Sequence, residues 1–197
     1  MREMLKMIVV LTVLSVLSGG LLASVRNGTK DKIENQQLQF VKGPAISAIL
    51  KGASNDPISD RFKLTDAETE ISFFVGVFSG EANTVAFESF GKGFGGDLGV
   101  MIGVNTKDDK IIGVGVTTHS ETPGVGSRAK SDPAFAAQFK GIPLAEEFKV
   151  KPDGGQVDAV SGATVTSRAV SAALTDAGRV YQQLKPQLTE KLKSFTK

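Results

Sequence analysis

DGGQVDAVSGATVTSRAVSAALT, residues 153–175, decides the fold, because a strand-like segment gives way within it to a long helix. Downstream, Ala169, Val170, Ala173, Leu174, Ala177, Val180, Tyr181 and Leu184 recur at three- and four-residue spacing, which predicts an amphipathic helix closed by Pro186. Thr164, Thr166 or Ser167 is its expected N-cap. At the junction, Ser161, Gly162, Ala163, Thr164, Val165, Thr166 and Ser167 place four hydroxyls in seven residues, with Gly and Ala between them leaving room for a bulky group. A helix start carries about half a positive charge and several unpaired N–H groups, so this turn suits a phosphate ester. Ser and Thr also gather at helix starts purely as caps.

Upstream of the junction the pattern is that of strands. Ile71 to Phe78 and Thr84 to Phe90 are apolar and β-branched, Leu98 to Val104 reads as a buried strand, and a polar hairpin at Asn105 to Lys110 leads to Ile111 to Thr118. Together they predict an α+β fold with a mainly antiparallel sheet flanked by helices. The loop GKGFGG, 91–96, lacks the Lys-Ser/Thr of a P-loop and precedes a strand, so nucleotide hydrolysis is not expected. A turn at His119 to Gly126 follows the last strand. Ser131 to Phe139 then reads as a helix opened by Ser131 or Asp132, with Pro133 at its first position. Phe148 to Lys151 is the expected final strand, and Leu188, Leu192 and Phe195 suggest one more short helix after Pro186.

The chain of 197 residues contains no cysteine, so thiolate zinc sites and cysteine-held iron–sulfur clusters are excluded, and a redox role requires a borrowed organic cofactor. Met7 to Val25 is a run of 19 uncharged residues, spanning ~28 Å as a helix, and is read as a single transmembrane anchor in contact with membrane lipid. Removing Met1 to Arg26 leaves 20 Lys+Arg against 20 Asp+Glu, a neutral remainder without the concentrated positive charge of a nucleic-acid partner. The expected layout is an anchor over 1–26, a linker and lead-in over 27–70, and a folded domain over 71–197. Arg128 and Lys130 could pair with a phosphate or face solvent, and His119, the single histidine, is read as a satisfied polar residue rather than a catalyst.

The string Asp158, Ser161, Gly162, Ala163, Thr164 resembles the D-x-x-[ST]-G-A-T signature of proteins that carry FMN esterified through its phosphate to a threonine. HSETPGVG at 119–126, FGGDLGVMIGV at 94–104 and KPDGG at 151–155 are similar to the FMN-binding domain of the G subunit in the Rnf electron-transport complex. The related C subunit in the sodium-pumping NADH:quinone reductase shares the S-G-A-T and E-T-P-G elements. The resemblance implies a covalent FMN on Thr164, with Ser161, Gly162, Ala163, Val165, Thr166 and Gly126 around it and with Glu121 and Thr122 beside the flavin ring and ribityl chain. It implies a separate Mg-dependent flavin transferase, to which Asp158 and Ser161 partly belong as recognition residues. It also implies a cytoplasmic N-terminus, a domain on the outer face, and other membrane subunits of an Rnf complex as partners in coupling ferredoxin and NAD chemistry to ion transport. Three alternatives stand beside it. They are the quinone-reductase homologue, an anchored module that holds a phosphorylated ligand reversibly, and a structural protein of the complex whose SGAT turn only caps a helix.

Overall fold

The computed structural model describes residues 2–66 and 69–195, apart from the side chain of Asp31, so residues 67 and 68 of the expected lead-in lie outside the described ones. Two compact units emerge, Met1–Gln39 and Phe40–Lys197. The first is dominated by helix α1, Arg2–Gln37. Within it Arg2–Lys30 contains an 18-residue window of mean hydropathy 2.4, none of it buried, so the helix is long and apolar enough to cross a membrane.

A π-helical turn, Leu38–Lys42, straddles the boundary between the units in the chain and is followed by helix α2, Gly43–Ile49. Five strands follow, β1 Arg61–Asp66, β2 Thr69–Phe78, β3 Glu81–Lys92, β4 Asp97–Asn105 and β5 Lys110–Val116. They form one antiparallel meander in the order β1-β2-β3-β4-β5. The β2–β3 hairpin closes on Ser79 and Gly80, at φ 53° and 84°, and two successive positive φ values are what a tight turn matched to strand twist requires.

Alternation along the strands divides the sheet into two faces. On one, Phe73, Val85, Phe87, Leu98, Val100 and Ile102 form the core beneath helix α5, Thr164–Leu192. Phe87 stacks on Tyr181 with ring centroids 6.4 Å apart, and Phe73 packs tilted against Phe87 at 5.0 Å. A Cβ at Gly91 would overlap the Ala169 carbonyl, and this bare backbone lets α5 lie directly on β3. On the other face α2 and its C-cap bury Ile46 and Leu50, and Gly103 of β4 gives way to Ile49.

After β5 come two short helices, α3 Arg128–Ser131 and α4 Pro133–Ala137. Asp132 caps α4 by accepting from the Ala134 N–H at 3.0 Å, with Pro133 at the first position. Three expectations are corrected here. The lead-in supplies an edge strand, β1, and the sheet-packing helix α2, so the sheet starts before residue 71. Phe148 to Lys151 forms no strand but a single parallel bridge, Val150 to Val157, followed by a 3-10 turn at Lys151–Asp153.

Pro186 does not close the last helix, which runs on to Leu192 with Leu188 and Leu192 buried. The reason is its face: Pro186 and Gln182, whose carbonyl loses its i+4 donor, are both exposed, so water satisfies that carbonyl while the apolar stripe stays packed. Pro186→Ala is expected to stabilise the domain by about 1 kcal/mol, since the restored hydrogen bond outweighs the added freedom of the unfolded chain. A lower denaturation midpoint in the variant would instead show that the packing of Leu188 to Phe195 depends on the proline.

Candidate functional site

Three turns converge at the N-terminal end of α5. The first is the glycine loop between β3 and β4, closed by Gly93 N–H donating to the Gly96 carbonyl at 2.8 Å. The second is Thr122-Pro123-Gly124-Val125, where Val125 N–H donates to the Thr122 carbonyl at 3.2 Å and Gly124 has φ 73°. Proline at the second position and a positive-φ glycine at the third specify this turn as type II. The third is the junction 157–167.

Glu121 ties the three together. It is 6% exposed, its Oε1 accepts from the Gly95 N–H at 3.0 Å, and its Oε2 accepts from the Thr166 hydroxyl at 2.5 Å. A Cβ at Gly126 would come within 2.5 Å of that Oε2 and 2.8 Å of Thr166 Oγ1, and one at Gly93 would strike Oε1. These glycines therefore make the space that the carboxylate fills. Burial pushes the Glu121 carboxyl up, but hydrogen bonds from Thr166 and from the Gly95 and Phe94 N–H groups outweigh it and hold it below the usual range. His119 Nδ1 accepts from the Glu121 N–H at 3.3 Å, a turn-stabilising role.

The four hydroxyls of the junction divide into two classes. Thr166 and Ser167 are buried and engaged: Thr166 on Glu121, Ser167 accepting from Val160 N–H and donating to the Ala163 carbonyl, both at 3.0 Å. Thr164 is half-exposed and Ser161 exposed, and among the described residues neither side-chain hydroxyl has a hydrogen-bond partner. None of the three expected N-caps holds that position. Ala163 does, without any side-chain cap, because Ser167 reaches back from the first turn to secure the strand-to-helix corner. Gly162, at φ 78°, supplies the left-handed residue of the corner, and Thr164 is the first helical residue.

Around this corner the surface is unusually apolar. Phe94 is 77% exposed and Val125 and Val165 are each 43% exposed, and a Cβ at Gly162 would meet only Val125 Cγ1, at 4.0 Å. Thr122 is exposed. Asp158 pairs with Lys151 at 2.7 Å, and Arg168 makes a bidentate pair with Asp153 at 2.7 Å, lowering the Asp153 carboxyl and raising the guanidinium. Lys130 is committed to the Thr117 carbonyl at 2.9 Å. Arg128 lies at a cavity of about 360 Å³ whose wall includes Phe135, Gln138, Asp158, Val160 and Ser161. Gln138 carries no local sequence signal, since its partner is 20 residues away. The glycines at 93, 95 and 96 carry no local sign that a carboxylate fills the gap between them.

Residues 93–178 match the family model described as FMN-binding domain. The chain is 32% identical to the G subunit in the ion-translocating oxidoreductase complex of Methanosarcina acetivorans, over 89% of this chain and 93% of that protein. It is equally 32% identical to the corresponding G subunit in Pseudomonas aeruginosa, over 95% and 92%. Among solved structures it is similar to NqrC of Shewanella oneidensis, at 26% identity over 70% of this chain and 72% of that one, with a TM-score of 0.54. It also resembles the C subunit in the sodium-translocating NADH-quinone reductase of Parabacteroides distasonis, at 31% identity and TM-score 0.50, over 59% of this chain and 63% of that one's length.

Proposed function

The chain belongs to the G-subunit family of ion-translocating oxidoreductase complexes, and from that premise we propose that it is a membrane-anchored electron carrier holding FMN as a phosphoester on Thr164. The observation that carries this reading is the free, half-exposed hydroxyl at the first position of a 29-residue helix, beside two neighbours whose hydroxyls are locked away. The corner fits the group. First-turn N–H groups lack intrahelical acceptors and favour a phosphate, and no side chain caps them. Gly162 and Ala163 add little bulk, and Phe94, Val125 and Val165 offer apolar surface to a planar ring.

When bound, FMN supplies one- and two-electron chemistry, and the protein sets its position and solvent access. The Thr164 hydroxyl is a weak nucleophile, and among the described residues no base is hydrogen-bonded to it. In this reading a separate Mg-dependent flavin transferase, which the family resemblance implies, would complete the reaction. The Thr164 hydroxyl would form the new O–P bond to the FMN-side phosphorus of FAD as the bond to AMP breaks, with AMP leaving on its electron pair and the hydroxyl proton passing to a base of the transferase.

In this reading the amino terminus is cytoplasmic, and Arg2–Lys30 anchors a domain on the outer face among the other membrane proteins of the complex. A covalent tether suits a cofactor kept far from its cytoplasmic supply. The likeness to the quinone-reductase structures covers 59–70% of the chain, whereas the G-subunit relatives extend over 89–95% of it and favour that complex. The test is a denaturing gel of the full chain made alongside a transferase. Flavin fluorescence should travel with the polypeptide, and colour that leaves on unfolding would point to reversible binding instead.

A further inference from the structure

We propose that Gln138 is a positioning residue for the attachment reaction, holding the segment from Asp158 to Ser161 in the one shape that presents Thr164 to its modifying enzyme; the proposal rests on the covalent-flavin reading above. Gln138 stands at the end of α4, and its side-chain amide acts as a surrogate strand. Oε1 accepts from the Asp158 N–H at 2.7 Å, and Nε2 donates to the Asp158 carbonyl at 3.1 Å. A third, longer contact runs from Nε2 to the Phe135 carbonyl at 3.5 Å, within its own helix end.

The amide takes over at the residue where backbone pairing stops. Val157 is still paired, its N–H donating to the Lys149 carbonyl at 3.0 Å and its carbonyl accepting from Lys151 at 2.8 Å. At Val160 the Ser167 hydroxyl takes the N–H. Between those ties, both backbone hydrogen bonds of Asp158 are made to Gln138 alone.

The outcome is a fixed alternation. Val157 and Val160 are buried, while the Asp158 and Ser161 side chains are exposed. Gln138, Asp158, Val160 and Ser161 share the wall of the 360 Å³ cavity, with Arg128 also lining it. The cavity wall runs directly into the Gly162–Thr164 corner. Without the amide, two polar backbone groups lose their partners and the segment is free to sample other conformations. Only the fraction in the observed shape then presents Thr164 correctly, which raises the apparent KM in inverse proportion and leaves kcat unchanged.

The experiment uses the full chain in detergent micelles, a purified flavin transferase, FAD and Mg²⁺, with the adduct quantified by intact mass at several chain concentrations. Gln138→Met keeps the length and packing of the side chain but removes both hydrogen bonds. It should raise the KM for the chain about 10-fold at unchanged kcat, and Gln138→Ala should do the same. Unchanged KM, or a loss confined to kcat, overturns the proposal. A second measurement needs no variant: the exposed Asp158 amide should be protected from hydrogen exchange in the wild-type chain, and exchange at the unprotected rate equally overturns it. A wild-type chain that takes no adduct at all refutes the covalent reading itself, an outcome distinct from wild-type labelling that Gln138 does not influence.

Discussion

Thr164→Ala should abolish covalent flavin completely while leaving the fold intact. The FMN-sized mass on the peptide containing residue 164 disappears and the gel band loses its fluorescence. Loss of the methyl and hydroxyl at a half-exposed first helical position without hydrogen-bond partners costs well under about 1 kcal/mol, because Ala is the best helix former and nothing depends on the oxygen. The prediction is sharpened by its neighbours. Thr166→Ala and Ser167→Ala remove hydroxyls that are buried and engaged, so they should lower stability yet keep the adduct on Thr164. Thr164→Ser retains an attacking oxygen and should keep partial labelling. An adduct that persists in Thr164→Ala, carried by Ser161, would move the attachment point to the other unpartnered hydroxyl of the corner.

The meander was legible because four of its strands are apolar, β-branched runs bounded by glycine, asparagine or aspartate turns, a signal local to each segment. β1 was not legible. RFKLTD buries only Leu64 and reads as linker, and its pairing with β2 comes from the sheet, not from its own pattern. The length of α5 was misjudged from the single residue Pro186, whose cost depends on which face it occupies, and that face is set by tertiary packing.

At the site, Thr164 and its small neighbours stood out because they are contiguous in sequence. The glutamate that braces them did not announce its job. Glu121 and Thr166 are 45 residues apart and the glycine loop lies 26 residues before the glutamate, so no spacing rule links them. The glycines at 93, 95 and 126 leave volume for a carboxylate and a tightly packed turn, a use their places in the sequence do not reveal.

Glu121→Ala is expected to cost about 3 kcal/mol, because the change strands the Gly95 N–H and the Thr166 hydroxyl and leaves a hole between three turns. Glu121→Gln keeps one acceptor and the shape, and should cost about 1 kcal/mol through the loss of charge-assisted bonding. With no Trp and a single Tyr, the buried Tyr181 of α5 is the natural fluorescence probe for denaturation of the full chain in detergent. The pH dependence separates the charge from the shape. Hydrogen bonds hold the folded-state carboxyl below its unfolded value of about 4.3, so the unfolded chain takes up the proton first. The stability contributed by the carboxylate is therefore complete above that pH and is lost as pH falls through the lower folded value. The gap between wild type and Glu121→Gln should accordingly be constant from about pH 7 to 5 and close below about pH 4.3. Labelling of Thr164 should weaken in Glu121→Ala and largely survive in Glu121→Gln, since the braced corner, not the charge, presents the hydroxyl. A gap that stays open in acid, or an Ala variant as stable as wild type, would show that the three turns hold together without this carboxylate.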